Sequence, residues 1–464
     1  MDEKPESAYE RVKDRLPISI SLYKDLRKAV DALIDYNEYV QVVCHDDADG
    51  ITAGAILTRA LSRAGLFLRT KVVNRIDESV VEELTQDGMG LYVFTDIGSG
   101  YTGLIELLAD RTDAIIIVLD HHKVVAKSNK FIQINCNDHG INGSFETSGS
   151  VMAFLFAAVL DIENFDLLDL ALAGAAGDKQ KIYGFTGLNG LLAEQGEKEG
   201  IFTIDIGMEL YGGGISNSIK HTFDPYFRGL SGREEKITEF LENLGLSTDS
   251  VPEKMQPRER TTLNSALMLK LVRAEAHHGT MKNMIKKRYY SPRMDMHIEE
   301  IAGIVNGCGN LEEHSLALAF CLSPEKFREA AVKVATRFHE KVVEMIIELE
   351  KGFEKIGSLD YFTAGKEQQG GTATGVAIRY LTDGSRPLLG VTPRDENINI
   401  SGRGTRELVE KGLDLAEALS KAAKEAGGNG GGHPVASGAT IPKDSLEGFL
   451  KSVNATVSSQ LNLQ

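Results

Sequence analysis

A group of carboxylates and one imidazole follows the first strongly apolar run of the chain. His45, Asp47 and Asp49 alternate in the segment HDDADG, so an extended or tightly turned backbone points all three toward one side. Carboxylate oxygens together with an imidazole suit Mn²⁺ or Mg²⁺. Gly50 then allows a sharp exit into a helix that we predict to begin near Thr52. The alternative interpretation is a solvated acidic turn that caps this helix.

Three further segments place acidic or histidine residues after apolar runs. Asp96 ends the run LYVFTD, the triplet Asp120–His122 follows the run IIIVL, and Asp178 ends the small-residue segment AGAAGD. Titratable groups directly after a buried strand are costly unless they line a polar site. One histidine of the triplet can then bind a metal while the other faces substrate, and Asp120 is placed to orient an imidazole. For each segment a turn, a helix end or a polar loop remains the alternative.

Two segments near the C-terminus suggest anion binding. Glycines crowd the segment 427–438, GGNGGGHPVASG, which we predict to be too glycine-rich for regular structure. Backbone N–H groups in such a loop approach an anion closely. His433 adds a switchable donor there, and Arg403 between two glycines suits a bidentate contact with a phosphate. The alternatives are a flexible glycine hinge and an exposed arginine in a turn.

The elements that must position these residues alternate between strands and helices from about residue 40 to 180. We predict the strands at 41–45, 91–96, 114–120 and 131–135, and the helices at 52–64 and 148–160. This repetition predicts an α/β fold with a mostly parallel sheet that is covered by helices on both faces. Because ligands of open α/β sheets gather at the carboxyl ends of the strands, the acidic and histidine residues should converge on one edge.

The rest of the chain changes character twice. Residues 195 to 350 are rich in Lys, Glu and Leu, and helical periodicity at 233–244, 261–277 and 324–351 predicts a mainly helical connector or insertion. From about residue 353 the pattern is α/β again, with a helix at 372–381, strands at 387–392 and 398–401, and a helix at 406–426. A length of 464 residues suits two or three domains, which we place at 1–195, 196–350 and 351–464.

Composition narrows the classes of function. The net charge of −16 argues against a broad surface that coats nucleic acid, but not against an enzyme whose bound cations supply local positive charge. No apolar stretch approaches the roughly 20 residues of a membrane span, so we expect no membrane association. The four cysteines, Cys44, Cys136, Cys308 and Cys321, have neither metal-site nor disulfide-framework spacing. A cytoplasmic protein is therefore expected.

The segments HDDADG, FTDIG, LDHH, SGSV and AGD, followed far downstream by SGRG and GGGH, resemble the motifs of the DHH phosphoesterase superfamily. Within it, the layout is similar to that of the RecJ-type nucleases, and most closely to archaeal RecJ-like nucleases that associate with the GINS replication complex. The resemblance covers most of the chain in order, and 195–350 matches only in part. It implies a parallel-sheet DHH catalytic domain, a helical connector or insertion, and a smaller α/β DHH-associated domain that binds substrate.

The resemblance also implies a role for each matching residue. Two divalent ions, preferably Mn²⁺ and otherwise Mg²⁺, would be held by His45, Asp47, Asp49, Asp96, His121 and Asp178. Asp96 would bridge them, and catalysis would fall to these ligands other than His45, together with His122 as a phosphate contact. Further substrate contacts would be His122, Ser148, Ser401, Arg403, Gly431, Gly432 and His433. Two positions depart from the family pattern: His45 where many bacterial RecJ proteins have Asp, and Cys136 where Pro is common.

The implied activity is two-metal hydrolysis of phosphodiester bonds. Nucleotides would be removed stepwise from the 5′ end of single-stranded DNA, and also of RNA in some relatives, during DNA replication or repair. The GINS complex is the expected partner, with the helical segment as its docking surface. Two alternatives stay open: a DHH phosphodiesterase for short oligonucleotides or cyclic dinucleotides, and a mainly scaffolding replication subunit. Complete metal positions favour an enzyme, and the large helical segment favours a long polymer.

Overall fold

The computed structural model describes residues 5–34, 36, 38–366 and 369–462. The chain divides into two compact units, each built from two separate stretches. The first unit comprises Met1–Ile206 and Lys286–Phe338, and the second comprises Gly207–Ile285 and His339–Gln464. The division at 1–195, 196–350 and 351–464 stays a prediction, because the two units share its middle segment. No helix in the described part of the chain is long and apolar enough to cross a membrane.

The helices of the described residues are α1 (Pro5–Val12), α2 (Ile20–Ile34), α3 (Ala48–Arg63), α4 (Glu78–Asp87), α5 (Thr102–Thr112), α6 (Gly149–Leu160), α7 (Leu168–Gly177), α8 (Gly187–Lys198), α9 (Ile215–His221), α10 (Glu234–Asn243), α11 (Pro257–Arg273), α12 (His278–Met281), α13 (Ile298–Asn310), α14 (His314–Leu322), α15 (Pro324–Leu349), α16 (Gly370–Tyr380), α17 (Arg406–Glu410), α18 (Leu415–Glu425) and α19 (Leu446–Gln460). The strands are β1 (Val40–His45), β2 (Leu68–Val73), β3 (Leu91–Thr95), β4 (Ile115–Asp120), β5 (Ile132–Asn135), β6 (Thr203–Met208), β7 (Ile285–Ser291), β8 (Met296–His297), β9 (Glu354–Ile356), β10 (Leu359–Thr363), β11 (Leu388–Pro393), β12 (Asn397–Arg403), β13 (Asn429–His433) and β14 (Ala436–Pro442).

The first unit is built on a five-stranded sheet of order β2-β1-β3-β4-β5, in which every neighbouring pair is parallel. Successive residues of a strand point to opposite faces. Val43 accordingly belongs to a buried cluster with Leu84 of α4 and Leu108 of α5, whereas Cys44 lies against Gly54 of α3. The predicted parallel sheet with helices on both faces is therefore confirmed. Its strand order changes direction between β1 and β3, and ligands bind at such a switch point.

The second unit contains a six-stranded sheet of order β13-β14-β12-β11-β10-β9. All neighbouring pairs are antiparallel except β10 and β11, which are parallel. One face packs on α18 and α19 through a buried cluster that includes Ile400, Leu419 and Val453. This unit confirms the predicted return to α/β structure after the helical segment.

Two predictions about local structure are wrong. The segment 427–438 is not irregular, because β13 and the start of β14 form an antiparallel pair, with β13 at the edge of the sheet. Glycine is required there: a Cβ at Gly432, where φ is 141°, would lie 2.7 Å from the carbonyl oxygen of Ala436. The predicted helix 406–426 is two helices, α17 and α18, which are separated near Gly412, where φ is 110°. The segment 195–350 also contains a small sheet of order β6-β7-β8.

Candidate metal centre

The turn between β1 and α3 carries the first three donors. His45 ends β1, Asp47 caps α3 by accepting the N–H of Gly50 at 3.0 Å, and Asp49 lies in the first turn of the helix. A Cβ at Gly50 would lie 2.5 Å from the carbonyl oxygen of His45, so only glycine lets the helix start this close to the strand. Asp47 therefore caps the helix and also remains within the donor group. Its carboxylate lies 3.0 Å from Nδ1 of His45.

Asp96 follows β3 in an uncommon conformation. Its φ is 58°, a left-handed value that few residues other than glycine adopt, and its side chain is 1% exposed. Neither of its carboxylate oxygens accepts a hydrogen bond from the described residues. Burial, followed by the charges of Asp49 and Asp47, raises the pKa of Asp96 well above its usual range. A strained, buried and unpartnered carboxyl group is the kind of feature that functional sites retain.

Asp120, the last residue of β4, organises the histidine pair. Its carboxylate accepts the backbone N–H groups of Ser99, His121 and His122 at 2.8, 2.8 and 3.1 Å, and Nδ1 of His122 at 2.8 Å. Burial alone would raise the pKa of Asp120, but these donors and the two histidines hold it well below its usual range. His122 is thereby oriented with a side chain that is 54% exposed. The structure places Asp120 where sequence analysis expected a residue that orients an imidazole.

The ring of His121 is held in place by a hydrogen bond from its Nδ1 nitrogen. Nδ1 donates to the carbonyl oxygen of Gly143 at 2.6 Å, which leaves Nε2 as the nitrogen with a lone pair. Nε2 lies 3.1 Å from Oδ1 of Asp96 and 3.7 Å from Oδ2 of Asp49. The side chain is buried, at 6% exposure. A carbonyl that fixes the tautomer of an imidazole is the usual second contact of a metal-binding histidine.

The six predicted metal ligands form two adjacent groups. His45, Asp47 and Asp96 make one group, and Asp49, His121 and Asp178 make the other, with the donor atoms of each group within 4.8 Å of one another. Asp96 lies between them, since its carboxylate is 3.8 Å from Nδ1 of His45 and 3.1 Å from Nε2 of His121. The structure thus brings together all six residues that the resemblance assigned to metal binding.

These residues fit divalent cations. Four carboxylates crowd a largely buried site, and neither oxygen of Asp96 has a hydrogen-bond partner among the described residues. Burial, opposed by the charge of His121 and reinforced by those of Asp49 and Asp47, raises the pKa of Asp178 to about 6. Such mutual repulsion is relieved when a cation binds between the carboxylates. Carboxylates with two imidazoles suit Mn²⁺ and Mg²⁺.

The N-terminus of α6 supports the centre through residues that sequence analysis missed. The N–H groups of Gly149 and Ser150 donate to the two carboxylate oxygens of Asp49, at 2.7 and 3.0 Å. A Cβ at Gly149 would lie 2.4 Å from Oδ1 of Asp96. The small residues ahead of an apolar helix were a usable signal for this close approach. Ser148 is fully buried and caps α6 by accepting the N–H of Val151, so its substrate contact stays a prediction.

Gln180 is a second supporting residue that the sequence did not reveal. Its Nε2 donates to Oδ2 of Asp178 at 2.8 Å and to the carbonyl oxygen of Gly143 at 2.9 Å, while Nδ2 of Asn189 donates to its Oε1 at 2.7 Å. The carbonyl of Gly143 therefore accepts from both His121 and Gln180. One amide side chain thus ties the two metal ligands His121 and Asp178 to the same backbone group. A lone Gln near an acidic residue gives no signal of such a role.

The predicted substrate residues of the second unit lie on neighbouring strands. Gly438 of β14 pairs with Ser401 of β12 on one side and with Gly431 of β13 on the other. Ala436 pairs in the same way with Arg403 and His433. Because paired residues of adjacent strands share a face, these predicted contacts line one face of the sheet. Gly432 pairs with Ser437 and belongs to the opposite face.

Arg403 has no acidic partner within the described residues. Its Nη1 donates to the carbonyl oxygen of Gly402 at 2.9 Å, and burial followed by the charge of Arg379 lowers its pKa. Gly371 and Gly375 of α16 leave space over this face: a Cβ at these positions would lie 3.1 Å from Oγ of Ser401 and 3.8 Å from Nε of Arg403. A partly buried guanidinium without a counter-ion suits an anion such as a phosphate.

Comparison with known proteins identifies two family domains in the chain. Residues 39–175 match the family model described as the DHH family, N-terminal domain, and residues 360–459 match that of the DHHA1 domain. An uncharacterized protein of Methanocaldococcus jannaschii is 28% identical over 451 residues, which cover 94% of this chain and 98% of that protein.

Two solved structures share the fold over nearly the whole chain. Exonuclease RecJ bound to manganese is similar with a TM-score of 0.57 at 18% identity, and the match covers 94% of both chains. CDC45 from Entamoeba histolytica is similar with a TM-score of 0.61 at 12% identity, over 94% of this chain and 98% of that one. The predicted resemblance is confirmed at the level of the superfamily and the fold. The chain therefore belongs to the DHH superfamily, with a DHH-family N-terminal domain and a DHHA1 domain on a RecJ-like fold.

Proposed function

We propose that this chain is a metal-dependent phosphodiesterase that removes nucleotides from the 5′ end of single-stranded DNA, and also of RNA, in cytoplasmic DNA replication or repair. The observation that carries the proposal is the buried carboxylate of Asp96, which has no hydrogen-bond partner among the described residues and lies between two three-residue donor groups. Two adjacent cation sites of this kind suit the hydrolysis of a phosphodiester, where both the attacking and the leaving oxygen need stabilisation.

Divalent ions held by the two donor groups would lower the pKa of a nearby water and neutralise charge on the phosphate. Mn²⁺ is the preferred ion, because two imidazoles accompany the carboxylates and the similar RecJ structure is bound to manganese. Mg²⁺ is the second choice. The remaining catalytic and substrate contacts would come from side chains and backbone groups of the protein.

His122 is the residue of this chain that would stabilise the negative charge that develops on the phosphate during hydrolysis. Burial lowers its pKa, but the hydrogen bond from Nδ1 to Asp120 and the charge of that carboxylate more than offset this, so the pKa is raised. When the ring is protonated, Nε2–H points away from Asp120 and would donate to a non-bridging phosphate oxygen. Asp120 acts through His122 and is a positioning residue, because its own oxygens are already occupied by four N–H groups.

The second unit supplies the residues that would select the end of the strand. Arg403, which has no acidic partner among the described residues, shares a face of the sheet with Ser401, and both suit the 5′-terminal phosphate. Gly431 and His433 lie on the same face two strands away and would contact the sugar-phosphate backbone. Gly432, which pairs with Ser437 and belongs to the opposite face, would contact the strand through its backbone.

The decisive experiment follows single strands of 40 nucleotides that carry a label at either end. We expect Mn²⁺-dependent release of the 5′ label as mononucleotide at the earliest times, shortening of 3′-labelled strands in single-nucleotide steps, and no activity with a chelator. RNA of the same sequence measures the preference between the two polymers. Early release of the 3′ label, or equal cleavage of a duplex, would contradict the proposed polarity and strand specificity.

A substrate of two nucleotides distinguishes the alternative activity. A phosphodiesterase for oligonucleotides or cyclic dinucleotides would cleave a dinucleotide at least as fast as the 40-nucleotide strand, whereas an exonuclease with a separate strand-binding face would favour the longer substrate. The comparison therefore uses kcat/KM for both substrates in one preparation. A higher value for the dinucleotide would replace the proposed substrate while keeping the metal chemistry.

A role as a replication subunit is compatible with activity, and the similarity to CDC45 favours it. We propose the GINS complex as the partner and α11 as part of the docking surface, because Leu269 and Val272 are both more than half exposed and lie three residues apart on one side of this helix. The double variant Leu269→Glu with Val272→Glu should lose co-purification with the GINS complex. Phe67→Glu, which changes an exposed residue of the first unit, is the control. Unchanged binding by the α11 variant would exclude this surface.

A further inference from the structure

A second group of metal-binding side chains lies in the second unit, apart from the centre already described. Nε2 of His277 is 3.2 Å from Oε2 of Glu407, and Nε2 of His278 is 2.9 Å from Oε1 of the same carboxylate. The three donor atoms lie within 4.8 Å of one another. We propose that His277, His278 and Glu407 bind a transition-metal ion of the zinc type, which is chemically distinct from the ions of the carboxylate-rich centre.

The separations between the donors match a coordination sphere. Ligand atoms about 2.1 Å from a tetrahedral zinc ion are roughly 3.4 Å from one another, close to the two distances measured here. Both imidazoles direct the same ring nitrogen at one carboxylate, although the residues are consecutive and their ring centroids are 4.9 Å apart. Two consecutive side chains that converge in this way present a pair of nitrogens to one point.

The group is held by three separate stretches of the chain. The N–H of His277 donates to the carbonyl oxygen of Arg379 at 3.0 Å, and a Cβ at Gly384 would lie 2.5 Å from the ring of His277. Oγ1 of Thr405 donates to the carbonyl oxygen of Gly384 at 3.2 Å and also caps α17, whose first turn contains Glu407. The positions of the ligands therefore depend on packing rather than on the ion alone, as a pre-organised site requires.

The identity of the donors selects the ion. Two imidazoles and one carboxylate are a typical zinc set that leaves a fourth position open, whereas Mg²⁺ and Ca²⁺ prefer oxygen ligands throughout. A fourth ligand could approach from solvent, because the side chains of His278 and Glu407 are 62% and 43% exposed. The side chain of His277 is 10% exposed and forms the buried side of the group. Without an ion, the same contacts are surface ion pairs, which contribute little to stability.

A bound ion would connect the turn after α11 to the start of α17. Glu407 follows Arg403 by four residues, and the backbone of Arg379, whose charge lowers the pKa of Arg403, accepts from His277. The proposed ion would therefore stiffen the support of the face that carries Arg403. This effect does not depend on which substrate the protein cleaves.

The test counts zinc in full-length protein whose carboxylate-rich centre has been disabled by Asp96→Asn with Asp178→Asn. The protein is stripped with a chelator and dialysed against Zn²⁺ in the presence of excess Mg²⁺, and bound zinc is measured by mass spectrometry. We expect one zinc per chain in this background and none after adding His278→Ala or Glu407→Gln. Adding His139→Ala, which removes a histidine paired with a single carboxylate of Asp25, is the matched control and should leave one zinc.

Two further readouts separate loss of the ion from loss of the fold. Co²⁺ in place of Zn²⁺ should give visible absorption in the background and in the His139→Ala protein but not in the His278→Ala protein. Zn²⁺ should raise Tm only in proteins that retain the site, while His278→Ala should leave Tm in chelator unchanged, because His278 is mostly exposed. Equal zinc content with and without His278→Ala, whether zero or one per chain, overturns the proposal.

Discussion

Nε2 of His121 lies 3.1 Å from Oδ1 of Asp96, with the imidazole tautomer fixed by donation of Nδ1–H to the carbonyl oxygen of Gly143. The two facing atoms then both present lone pairs, and Oδ1 of Asp96 has no hydrogen bond from the described residues. Such a contact is unfavourable unless a proton or a cation lies between the atoms. A metal ion bound to both atoms would therefore replace a proton at this point and remove the repulsion between the two lone pairs.

Asp96→Asn should abolish hydrolysis and stabilise the metal-free protein. An amide cannot replace a bridging carboxylate, so we expect a loss in kcat/KM that exceeds the roughly 10–100-fold cost of losing an outer partner of a metal site. Because burial and the charges of Asp49 and Asp47 raise the pKa of Asp96, the neutral amide relieves repulsion in the folded state. Tm in chelator should rise, and the gain in Tm on adding Mn²⁺ should shrink.

Asp46→Asn is the matched control for this variant. Asp46 is in the same turn, but its carboxylate accepts from Nδ2 of Asn74 at 2.9 Å and belongs to neither three-residue donor group. Activity and the Mn²⁺-dependent gain in Tm should stay close to the original values. If Asp96→Asn lowered Tm in chelator, the proposed cost of the Asp96 charge would be wrong even though activity was lost.

Gly149→Ala should weaken metal binding without removing a ligand. Its added Cβ would lie 2.4 Å from Oδ1 of Asp96, so the carboxylate or the start of α6 must shift. We expect a loss of roughly 10–100-fold in Mn²⁺ affinity, as for other changes that misplace a metal ligand, with an overpacking cost of about 1–3 kcal/mol. Isothermal titration with Mn²⁺ and urea denaturation measure the two effects.

The control for this change is Gly103→Ala in α5, where an added Cβ meets no atom within 4 Å. Alanine is the better helix former, so this variant should keep its Mn²⁺ affinity and gain up to about 1 kcal/mol of stability. Equal Mn²⁺ affinity in both variants would show that Asp96 tolerates displacement. The close approach of α6 would then have no functional significance.

The sequence was enough to predict the sheet and the edge at which the candidate metal ligands converge, because buried parallel strands such as β4 are unbroken apolar runs that end in polar residues. The edge strand β2, LRTKVV, was missed since half of its residues are polar and only partly buried. The hairpin of β13 and β14 was missed for another reason. Its stability depends on pairing with β12, a contact between distant segments, whereas its local composition favours a loop.

The metal ligands could be named from motifs, but their supports could not. Gly143 contributes a backbone carbonyl that accepts from His121 and Gln180. Because every residue has such a carbonyl, the residue type at this position does not indicate the role. The left-handed conformation of Asp96 likewise depends on its surroundings, since its N–H donates to the carbonyl oxygen of Leu119 on the neighbouring strand. Contacts that depend on backbone atoms of distant residues are visible only in three dimensions.

Arg403→Ala should reduce the preference for a 5′-phosphate. The guanidinium lacks an acidic partner within the described residues, so it is free to contact a phosphate. Loss of a charge-assisted contact of about 1.5–3 kcal/mol should raise KM for a 5′-phosphorylated strand by roughly 10–100-fold. The KM for the same strand with a 5′-hydroxyl should change little. Arg406→Ala is the control, because this residue is 79% exposed and forms an ion pair with Glu410 on its own helix. An equal rise in KM for both strands would instead mean that Arg403 contacts the sugar-phosphate backbone of the substrate and not its 5′-terminal phosphate.

The small sheet β6-β7-β8 is joined by one polar side chain from each strand. Asp205 of β6 accepts from Nε of Arg288 of β7 at 3.2 Å and lies 3.5 Å from Nε2 of His297 of β8. Burial would raise the pKa of Asp205, but His297 and Arg288 lower it to about 2. The folded protein therefore binds the proton of this carboxyl group less readily than the unfolded chain, whose ordinary value is 3.8.

Asp205→Asn should lower the free energy of unfolding by about 2 kcal/mol at pH 5, as expected when a hydrogen bond to a charged group is lost. Because the folded-state pKa is depressed, the contribution of Asp205 is fully present above about pH 4 and is lost as the pH falls through about 2. Urea denaturation of the two proteins should therefore show a smaller difference at pH 3 than at pH 5. Asp31→Asn, at an exposed pair with Arg27, should change stability little at either pH. A difference that grew on acidification would mean that the Asp205 carboxylate is not stabilised by its two partners.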